Sequence, residues 1–396
     1  MRVLRHNLGK ASQANMKNPG KLTPKVGSRR EGPAIARNES ALLVNPLDPS
    51  HIVGVEEIAL PDGTPMVSAR VSFDSGSTWR ESWPLPAEAG WAGVIGPVVA
   101  VDAHGNLNLA ALALDPDRSR ATLVLYRSED GGIHWTHPMM VLHGATECCY
   151  SIATDLNPQS PFRGNVYVAS DMENTLRLAR YGDGGEAPGR LLCSGSAVPE
   201  FCFNPEVLVD AAGVVHVVWT TGVSGCSILA THSTDGAKTF TEPVTVAEGI
   251  TSVHEGLPET APATFIGADG VAICVWADDR EGRSRIYCRR SADGGRTWDG
   301  PPGGEPLVHH DTSGQHEFQP HLIPTPAGEI CCAFYEYGPK APGGAQLVDL
   351  AMAVSYDRGA TFSSRMVLSE QPWDPALEKP MSRAATRGAL GWLALR

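Results

Sequence analysis

Long apolar runs are missing from this sequence. No stretch approaches the roughly 18 uninterrupted apolar residues that a membrane-spanning helix needs, and the first thirty residues lack the apolar centre of a secretory signal. We therefore expect a soluble chain with no membrane span and no signal peptide, whose compartment stays open. Charged residues are also few, at 19% of 396 residues, and the net charge of -12 argues against nucleic acid as a partner.

Basic residues are concentrated at the beginning of the chain. Residues 1–37 contain nine Lys or Arg against the single acidic residue Glu31. Such a charge block is typical of a solvated arm. We predict that residues 1–36 form a flexible basic tail, with a targeting or anchoring arm as the alternative, and that residues 37–396 form one folded domain.

The nine cysteines are an odd number, so at least one thiol has no partner within the chain. Two pairs are adjacent in sequence, at 148–149 and 331–332. A bridge between Cys202 and Cys226 is one candidate pairing.

A short pattern, Ser-x-Asp-x-Gly-x-Thr-aromatic, recurs along the chain. One copy is "RSADGGRTW" at 290–298, and close copies begin at Val71, Arg127, His232 and Val354. The pattern predicts a turn between two strands, because Asp accepts backbone hydrogen bonds, Gly adopts positive φ and the aromatic side chain packs beneath the turn. A degraded copy, "YGDGGEAP", begins at Tyr181, which completes six units of about 55 residues.

Each unit also contains a strand, a tight Gly turn and a second, nearly continuous apolar strand, as in "PEVLVDAAGVVHVVW". With the two strands that flank the repeated turn, every unit has four antiparallel strands. Four-stranded units at a fixed period of this length are typical of a β-propeller. We therefore predict an all-β fold, a six-bladed β-propeller of four-stranded antiparallel blades, with a truncated seventh blade after Ser369 as the alternative.

The repeated turn resembles the Asp box, or BNR repeat, of the sialidase (neuraminidase) superfamily, over residues 38 to about 369. This resemblance implies a six-bladed propeller with the box between the third and fourth strands, and a carbohydrate-active protein. The finer implication is an exo-glycoside hydrolase of sialidase type that acts on a terminal or acidic sugar. Because the box is structural and occurs in proteins of many activities, a non-catalytic propeller that binds a glycan or a protein is the alternative.

Known sialidases use three arginines, an Asp acid/base and a Tyr nucleophile with a Glu partner. The resemblance implies Arg37, Arg280 and either Arg118 or Arg120 as the arginines, although the usual Arg-Ile-Pro motif is absent. It implies Tyr337 beside Glu336 as the nucleophile, with Glu259 or Glu206 as its partner. The candidate catalytic residues are therefore Asp278, Asp279, Glu259, Tyr337 and Glu336, and the candidate substrate-binding residues are Arg280, Arg37, Arg118 and Glu317.

The loop "WADDREGR" carries the most distinctive part of this set. Asp278, Asp279 and Arg280 follow an apolar strand that ends near Trp276, so they emerge on the face opposite the repeated turns. We expect them beside the axial pocket, where Arg280 binds the ligand, whereas a local salt-bridge network is the alternative interpretation. We expect Trp276 itself in the core between blades.

Three histidines and two carboxylates occur within residues 309–317. Their spacing matches no established metal motif, and we expect neither a metal nor a cofactor. The expected partner is a carbohydrate or glycoconjugate ligand.

Overall fold

The computed structural model describes residues 37–82, 85–145, 149–172, 175–182, 185–194, 202–222, 226–251, 261–308, 314–325, 327–338 and 347–372. The predicted basic tail at 1–36 and the last residues, 373–396, lie outside the described residues. Within the described parts no helix is long and apolar enough to cross a membrane.

The described residues form six four-stranded antiparallel sheets and contain no helix. Blade 1 comprises β1 (Arg37–Val44), β2 (Ile52–Ala59), β3 (Pro65–Ser72) and β4 (Arg80–Ser82). Blade 2 comprises β5 (Gly93–Val101), β6 (Leu107–Leu114), β7 (Ala121–Ser128) and β8 (Met139–Ala145). Blade 3 comprises β9 (Tyr150–Thr154), β10 (Val166–Met172), β11 (Thr175–Gly182) and β12 (Gly185–Ser194).

Blade 4 comprises β13 (Cys202–Val209), β14 (Val215–Thr221), β15 (Cys226–Ser233) and β16 (Val244–Ile250). Blade 5 comprises β17 (Ala263–Ile266), β18 (Ala272–Asp278), β19 (Arg285–Ser291) and β20 (Glu305–Pro306). Blade 6 comprises β21 (His316–Pro324), β22 (Ile330–Tyr337), β23 (Val348–Ser355) and β24 (Met366–Val367). Each blade uses one consecutive segment, and the prediction of an all-β, six-bladed β-propeller is confirmed.

The first strands of successive blades contact one another, from β1 and β5 through to β17 and β21. They are therefore the inner strands of the propeller. Antiparallel pairing places the turns after the first strands and the repeated turns at one end, which we call the turn face. The loops between the second and third strands, such as residues 279–284, and the connections between blades lie at the other end, which we call the loop face.

The hydrophobic core is divided among the junctions between consecutive blades. The junction of blades 3 and 4 contains Trp219, and that of blades 4 and 5 contains Trp276 with Tyr287. Trp276 is 2% exposed, which confirms its expected place in the core between blades. Continuously apolar second strands follow from this arrangement, because both of their faces are covered by neighbouring sheets.

The repeated turn connects the third and fourth strands in blades 1, 2, 4, 5 and 6. In every copy the Ser hydroxyl donates to the Asp carboxylate at 2.7 to 2.9 Å. The backbone N–H at the Gly position donates back to the Ser oxygen over the same range of distances. The Thr hydroxyl donates to the second carboxylate oxygen, and in blade 2 the His134 ring takes its place.

Two units depart from the pattern. In blade 4 the Gly position is occupied by Ala237, which keeps a positive φ of 65°. In blade 3, where the sequence is degraded at Tyr181, β11 and β12 pair directly up to Gly182 and Gly185, so the hairpin replaces the turn. A blade of this fold therefore forms without the repeated turn.

Several glycines near the turn face touch the preceding blade. A side chain at Gly132 of blade 2 would collide with Val71 of blade 1, and one at Gly359 of blade 6 would collide with Ile273 of blade 5. Gly236 of blade 4 lies in the same way against the Phe162 ring of blade 3. Each of these turns is thus seated on the blade that comes before it in the sequence.

Cys202 is disulfide-bonded, whereas Cys226 is present as a thiol that donates to the Gly222 carbonyl at 3.8 Å. The candidate bridge between Cys202 and Cys226 is therefore wrong. Residue spacing suggested a pairing that the register of the strands does not make.

Candidate functional site

The inner strands share an irregularity near the loop face. Register shifts interrupt the pairing of β5, β13 and β21 with their neighbours. At each shift one residue has positive φ, 63° at Gly96, 53° at Asn204 and 48° at Gln319, and a proline follows it. Such β-bulges re-aim the side chains around them and are over-represented beside active sites.

Glu206 lies directly after the bulge of blade 4. Its side chain is half-buried, and burial raises the pKa of the carboxyl to about 8, although the neighbouring Thr264 hydroxyl and backbone N–H oppose the rise. The Thr264 hydroxyl nevertheless makes no hydrogen bond of normal geometry. Glu206 is therefore a carboxyl on a half-buried residue, with Oε2 itself buried, that stays protonated at neutral pH, which is the state that a general acid requires.

His321 occupies the equivalent position after the bulge of blade 6. Its side chain reaches solvent, and desolvation by the surrounding strands lowers the pKa of the imidazole below its usual value. Inner-strand positions after the bulges of two blades thus carry titratable groups, both of which favour the neutral form.

Asp278 ends β18 and is fully buried. One oxygen accepts from the Thr251 hydroxyl at 2.7 Å and from the Thr251 and Arg280 backbone N–H groups, and the other accepts from Arg280 Nε at 2.7 Å. The Arg280 guanidinium also lies over the Tyr287 ring at 4.4 Å. This arrangement anchors two loops of the loop face, and the catalytic and substrate-binding roles of Asp278 and Arg280 stay predictions.

Two further candidates lie near this anchor. Asp279 is half-buried in the same loop. Glu317, at the start of β21, is 2% exposed and accepts the Ile286 backbone N–H of blade 5 at 2.8 Å. Its own carbonyl accepts from the Ser284 hydroxyl at 2.7 Å, so Glu317 connects blades 5 and 6.

Glu336 and Tyr337 end β22. Glu336 is fully buried and pairs with Arg365, while Tyr337 is 6% exposed and stacks on His316 with ring centroids 4.9 Å apart. Both side chains are thus packed within blade 6. A nucleophilic Tyr337 would need a route to substrate, and its catalytic role stays a prediction.

The remaining candidates are spread over the chain. Arg118 is exposed between β6 and β7, where it donates to the Ala92 carbonyl at 3.4 Å. Arg37 begins β1, but its side chain lies outside the described residues, as does the whole of Glu259. Of the histidine-rich loop, residues 309–313 lie outside them too. In the described parts, no three His, Cys, Asp or Glu are arranged to hold a metal ion.

Two buried acidic residues, Glu57 and Asp171, were missed by the sequence analysis. Asp171 of β10 is buried and accepts the backbone N–H of Cys149 at 2.6 Å and that of Asn204 at 2.9 Å. It therefore holds the bulge of blade 4, next to Glu206, from the neighbouring blade. The signal was an acidic residue at the end of an apolar second strand, shared by Glu57, Asp171, Asp278 and Glu336.

The sequence matches no protein-family model and no curated protein. The structure is similar to a sialidase from Streptococcus pneumoniae, with a TM-score of 0.50 and 10% identity over 82% of this chain and 68% of that one. It is also similar to a protein of unknown function from Dyadobacter fermentans, with a TM-score of 0.49 and 14% identity over 80% and 94% of the chains. It is similar as well to an ulvan lyase, a polysaccharide lyase, with a TM-score of 0.49 and 10% identity over 90% of this chain and 83% of that one. Because these sequence identities are so low, the structural similarity establishes the fold alone.

Proposed function

We propose that the protein is a carbohydrate-active propeller whose sugar ligand binds at the loop face, against the inner-strand bulges. The observation that carries the proposal is Glu206, a half-buried residue on an inner strand whose carboxyl has its pKa raised to about 8 by burial. A strongly shifted acid at the mouth of a propeller is a functional-site candidate. The resemblance of the repeated turns to the Asp box and the sialidase among the similar structures support carbohydrate as the ligand.

The finer proposal is an exo-glycoside hydrolase that uses Glu206 as its general acid. The protonated carboxyl donates its proton to the leaving-group oxygen of a terminal glycosidic bond, and an ionised carboxylate activates water on the other side of the ring. Asp279 of the same face and Glu259 are the candidates for that base. Because Glu206 has to be protonated, turnover falls as the pH rises through about 8.

The nature of the sugar follows from the arginines. The Arg280 guanidinium pairs with Asp278 and lies over the Tyr287 ring, so its positive charge is already neutralised within blade 5. Arg118 lies on an exposed loop and contacts a backbone carbonyl. We therefore favour a terminal neutral sugar over an acidic one, and we keep Arg37, Arg118, Arg280 and Glu317 as candidate contacts to its hydroxyl groups.

A second candidate function is non-catalytic binding of a glycan or a protein on the same face. It is favoured by the burial of Tyr337 and by the pairing of Glu336 with Arg365, because both groups serve the interior of blade 6. In that case Glu206 would be a polar contact to the ligand and would not transfer a proton.

Hydrolysis of a panel of fluorogenic neutral and acidic glycosides tests the proposal. We expect turnover of at least one neutral glycoside and a loss of about 100-fold or more in Glu206→Gln. The matched control is Glu305→Gln, an exposed carboxylate of blade 5 that should leave turnover unchanged. Binding on a glycan array without any hydrolysis would establish the second candidate, and full turnover in Glu206→Gln would refute the role of this residue.

A further inference from the structure

The junction between blade 6 and blade 1, which we call the 6–1 junction, differs from the others. Each junction from that of blades 1 and 2 to that of blades 5 and 6 contains a cluster of buried apolar side chains drawn from both blades. Among the described residues, no such cluster combines blade 6 with blade 1. The cluster formed by Phe318, Tyr335, Tyr337 and Val348 draws on blade 6 alone.

Blade 1 turns an apolar face toward the 6–1 junction. Ala41 and Leu43 of β1 pack on the core that blade 1 shares with blade 2. Because side chains alternate along a strand, Leu42 and Val44 point the other way, toward blade 6. Leu42 is 44% exposed and Val44 is 50% exposed. Two large apolar side chains on an inner strand are therefore left in contact with solvent.

The first strands of blades 2 and 4 show how this face is used at a packed junction. Val44 belongs to the last residue pair between β1 and β2, as Val101 belongs to the last pair between β5 and β6, yet Val101 is 2% exposed in the core shared with blade 1. Val207 of blade 4 corresponds to Leu42, and it is 4% exposed in the core shared with blade 3. The preceding blade thus buries this face in blades 2 and 4, but not in blade 1.

Blade 6 forms the other wall of the 6–1 junction. Cys332 of β22 and Ala351 and Ala353 of β23 lie in the core shared with blade 5. Because side chains alternate, Cys331 and Met352 point to the opposite face of the blade, and both are half-buried. The walls on both sides are apolar, so an apolar segment placed between them would gain the burial that stabilises the other junctions.

The chain beyond blade 6 contains a segment of the required composition. Residues 388–396, "GALGWLALR", include Trp392 and Leu393 and only one charged residue. The last described residue, Pro372, follows the outer strand of blade 6. Residues 373–387 can span up to about 50 Å when extended, whereas a four-stranded sheet is only about 15 Å across. The segment is therefore long enough to reach the 6–1 junction from the outer edge of blade 6.

We propose that residues 388–396 dock between blades 6 and 1 and cover Leu42 and Val44. The segment is tethered to the blade that forms one wall, which gives it an effective concentration of the order of millimolar at the junction and favours it over a second copy of the chain. Since each blade already has four strands, the segment completes a junction and adds no strand to a blade. Sugar binding at the loop face plays no part in this docking.

Hydrogen exchange of the 396-residue chain, measured by mass spectrometry on peptides that cover 388–396, tests the proposal. We expect the amides of this segment to exchange at least about tenfold more slowly than those of an unstructured peptide. Val44→Asp places a charge on the covered wall and should remove this protection. Met140→Asp is the matched control, because it changes an exposed apolar residue on the outer strand of blade 2 and should leave the protection as it is.

Leu393→Asp makes the reciprocal change without altering either wall. It should speed exchange in peptides that cover β1 and leave exchange in β14 of blade 4 unchanged, and it decides the matter if Val44→Asp loses protection throughout the molecule. The proposal is overturned if 388–396 exchange at the rate of an unstructured peptide, or if Leu393→Asp leaves exchange in β1 unchanged. A dimer by light scattering that Val44→Asp dissociates, together with an unprotected 388–396, would establish a second copy as the cover instead.

Discussion

Asp278 and Arg280, two residues apart in sequence, form an ion pair in which the carboxylate is fully buried and the guanidinium is partly exposed. The same carboxylate fixes Thr251, which lies on the connection that leaves blade 4. A local pair therefore joins two blades at the loop face.

Arg280→Ala should destabilise the protein by about 1.5 to 3 kcal/mol, because the buried Asp278 carboxylate loses a charged hydrogen-bond donor. Urea unfolding measures the change. Arg118→Ala, in which an exposed arginine is removed, is the control and should stay within about 0.5 kcal/mol. The double variant Asp278→Asn/Arg280→Ala should cost less than the sum of the single changes. Unchanged stability in Arg280→Ala would show that the pair does not anchor the loops.

Ala237→Gly should stabilise the protein by about 1 kcal/mol, since an L-residue with a side chain is strained at a φ of 65°. The four other repeated turns have glycine at this position. Ala292→Gly, in the exposed part of the blade 5 turn and outside the positive-φ region, is the control and should be slightly destabilising. Thermal melts of the two variants therefore move in opposite directions, and a lower melting temperature for Ala237→Gly would contradict the assignment.

Glu206→Gln should change how stability depends on pH. The folded-state pKa is raised to about 8 from an ordinary value of 4.5, so the folded protein binds a proton that the unfolded chain has released between these values. The stability of the unchanged protein should therefore fall as the pH rises from about 4.5 to 8 and level off above it. Melting temperatures of the two proteins should diverge across this window in favour of Glu206→Gln. A constant difference would mean that the pKa of Glu206 is not raised.

Asp293→Ala should cost about 1 to 3 kcal/mol, because Ser291, Thr297 and the Arg296 backbone N–H lose their common acceptor. Turnover or binding per folded molecule should survive, since this turn lies at the opposite end from the loop face. Asp299→Ala removes an exposed carboxylate nearby and serves as the control. Loss of a loop-face activity with normal stability would contradict a purely structural turn.

The same carboxyl gives a pH test in the acid range. Burial would raise the pKa of Asp293, but the hydrogen bonds from Thr297 and Ser291 outweigh it and lower the pKa to about 2. The stability that this group contributes is present above its ordinary pKa of 3.8 and is lost as the pH falls toward 2. Urea unfolding at pH 5 and at pH 2.5 should show a smaller effect of Asp293→Ala at the lower pH.

The fold was predictable because it depends on local, repeated signals. Each Ser-x-Asp-x-Gly turn satisfies its own hydrogen bonds within eight residues, so its spacing alone predicts the number of blades. The position of Tyr337 was not predictable in the same way. Its burial depends on stacking with His316 across the register of two strands, and sequence spacing does not reveal that contact.

The candidate site shows the same limit. The loop with Asp278, Asp279 and Arg280 was predicted at the loop face, with a local salt bridge as the alternative interpretation, but which of the two roles Arg280 takes depends on side-chain rotamers. Glu206 was named only as an alternative partner of Tyr337. Its raised pKa arises from burial on an inner strand next to Thr264 of the following blade, and no short stretch of sequence contains that environment.

The seating of three repeated turns on the preceding blade has a consequence for how the chain is made. Gly132, Gly236 and Gly359 each close against a side chain that comes from an earlier part of the chain. During synthesis, which proceeds from the amino terminus, the turns of blades 2, 4 and 6 therefore close on a surface that has already left the ribosome. The propeller can grow blade by blade in the order of translation, and a nascent chain that stalls between blades exposes one unfinished junction at a time.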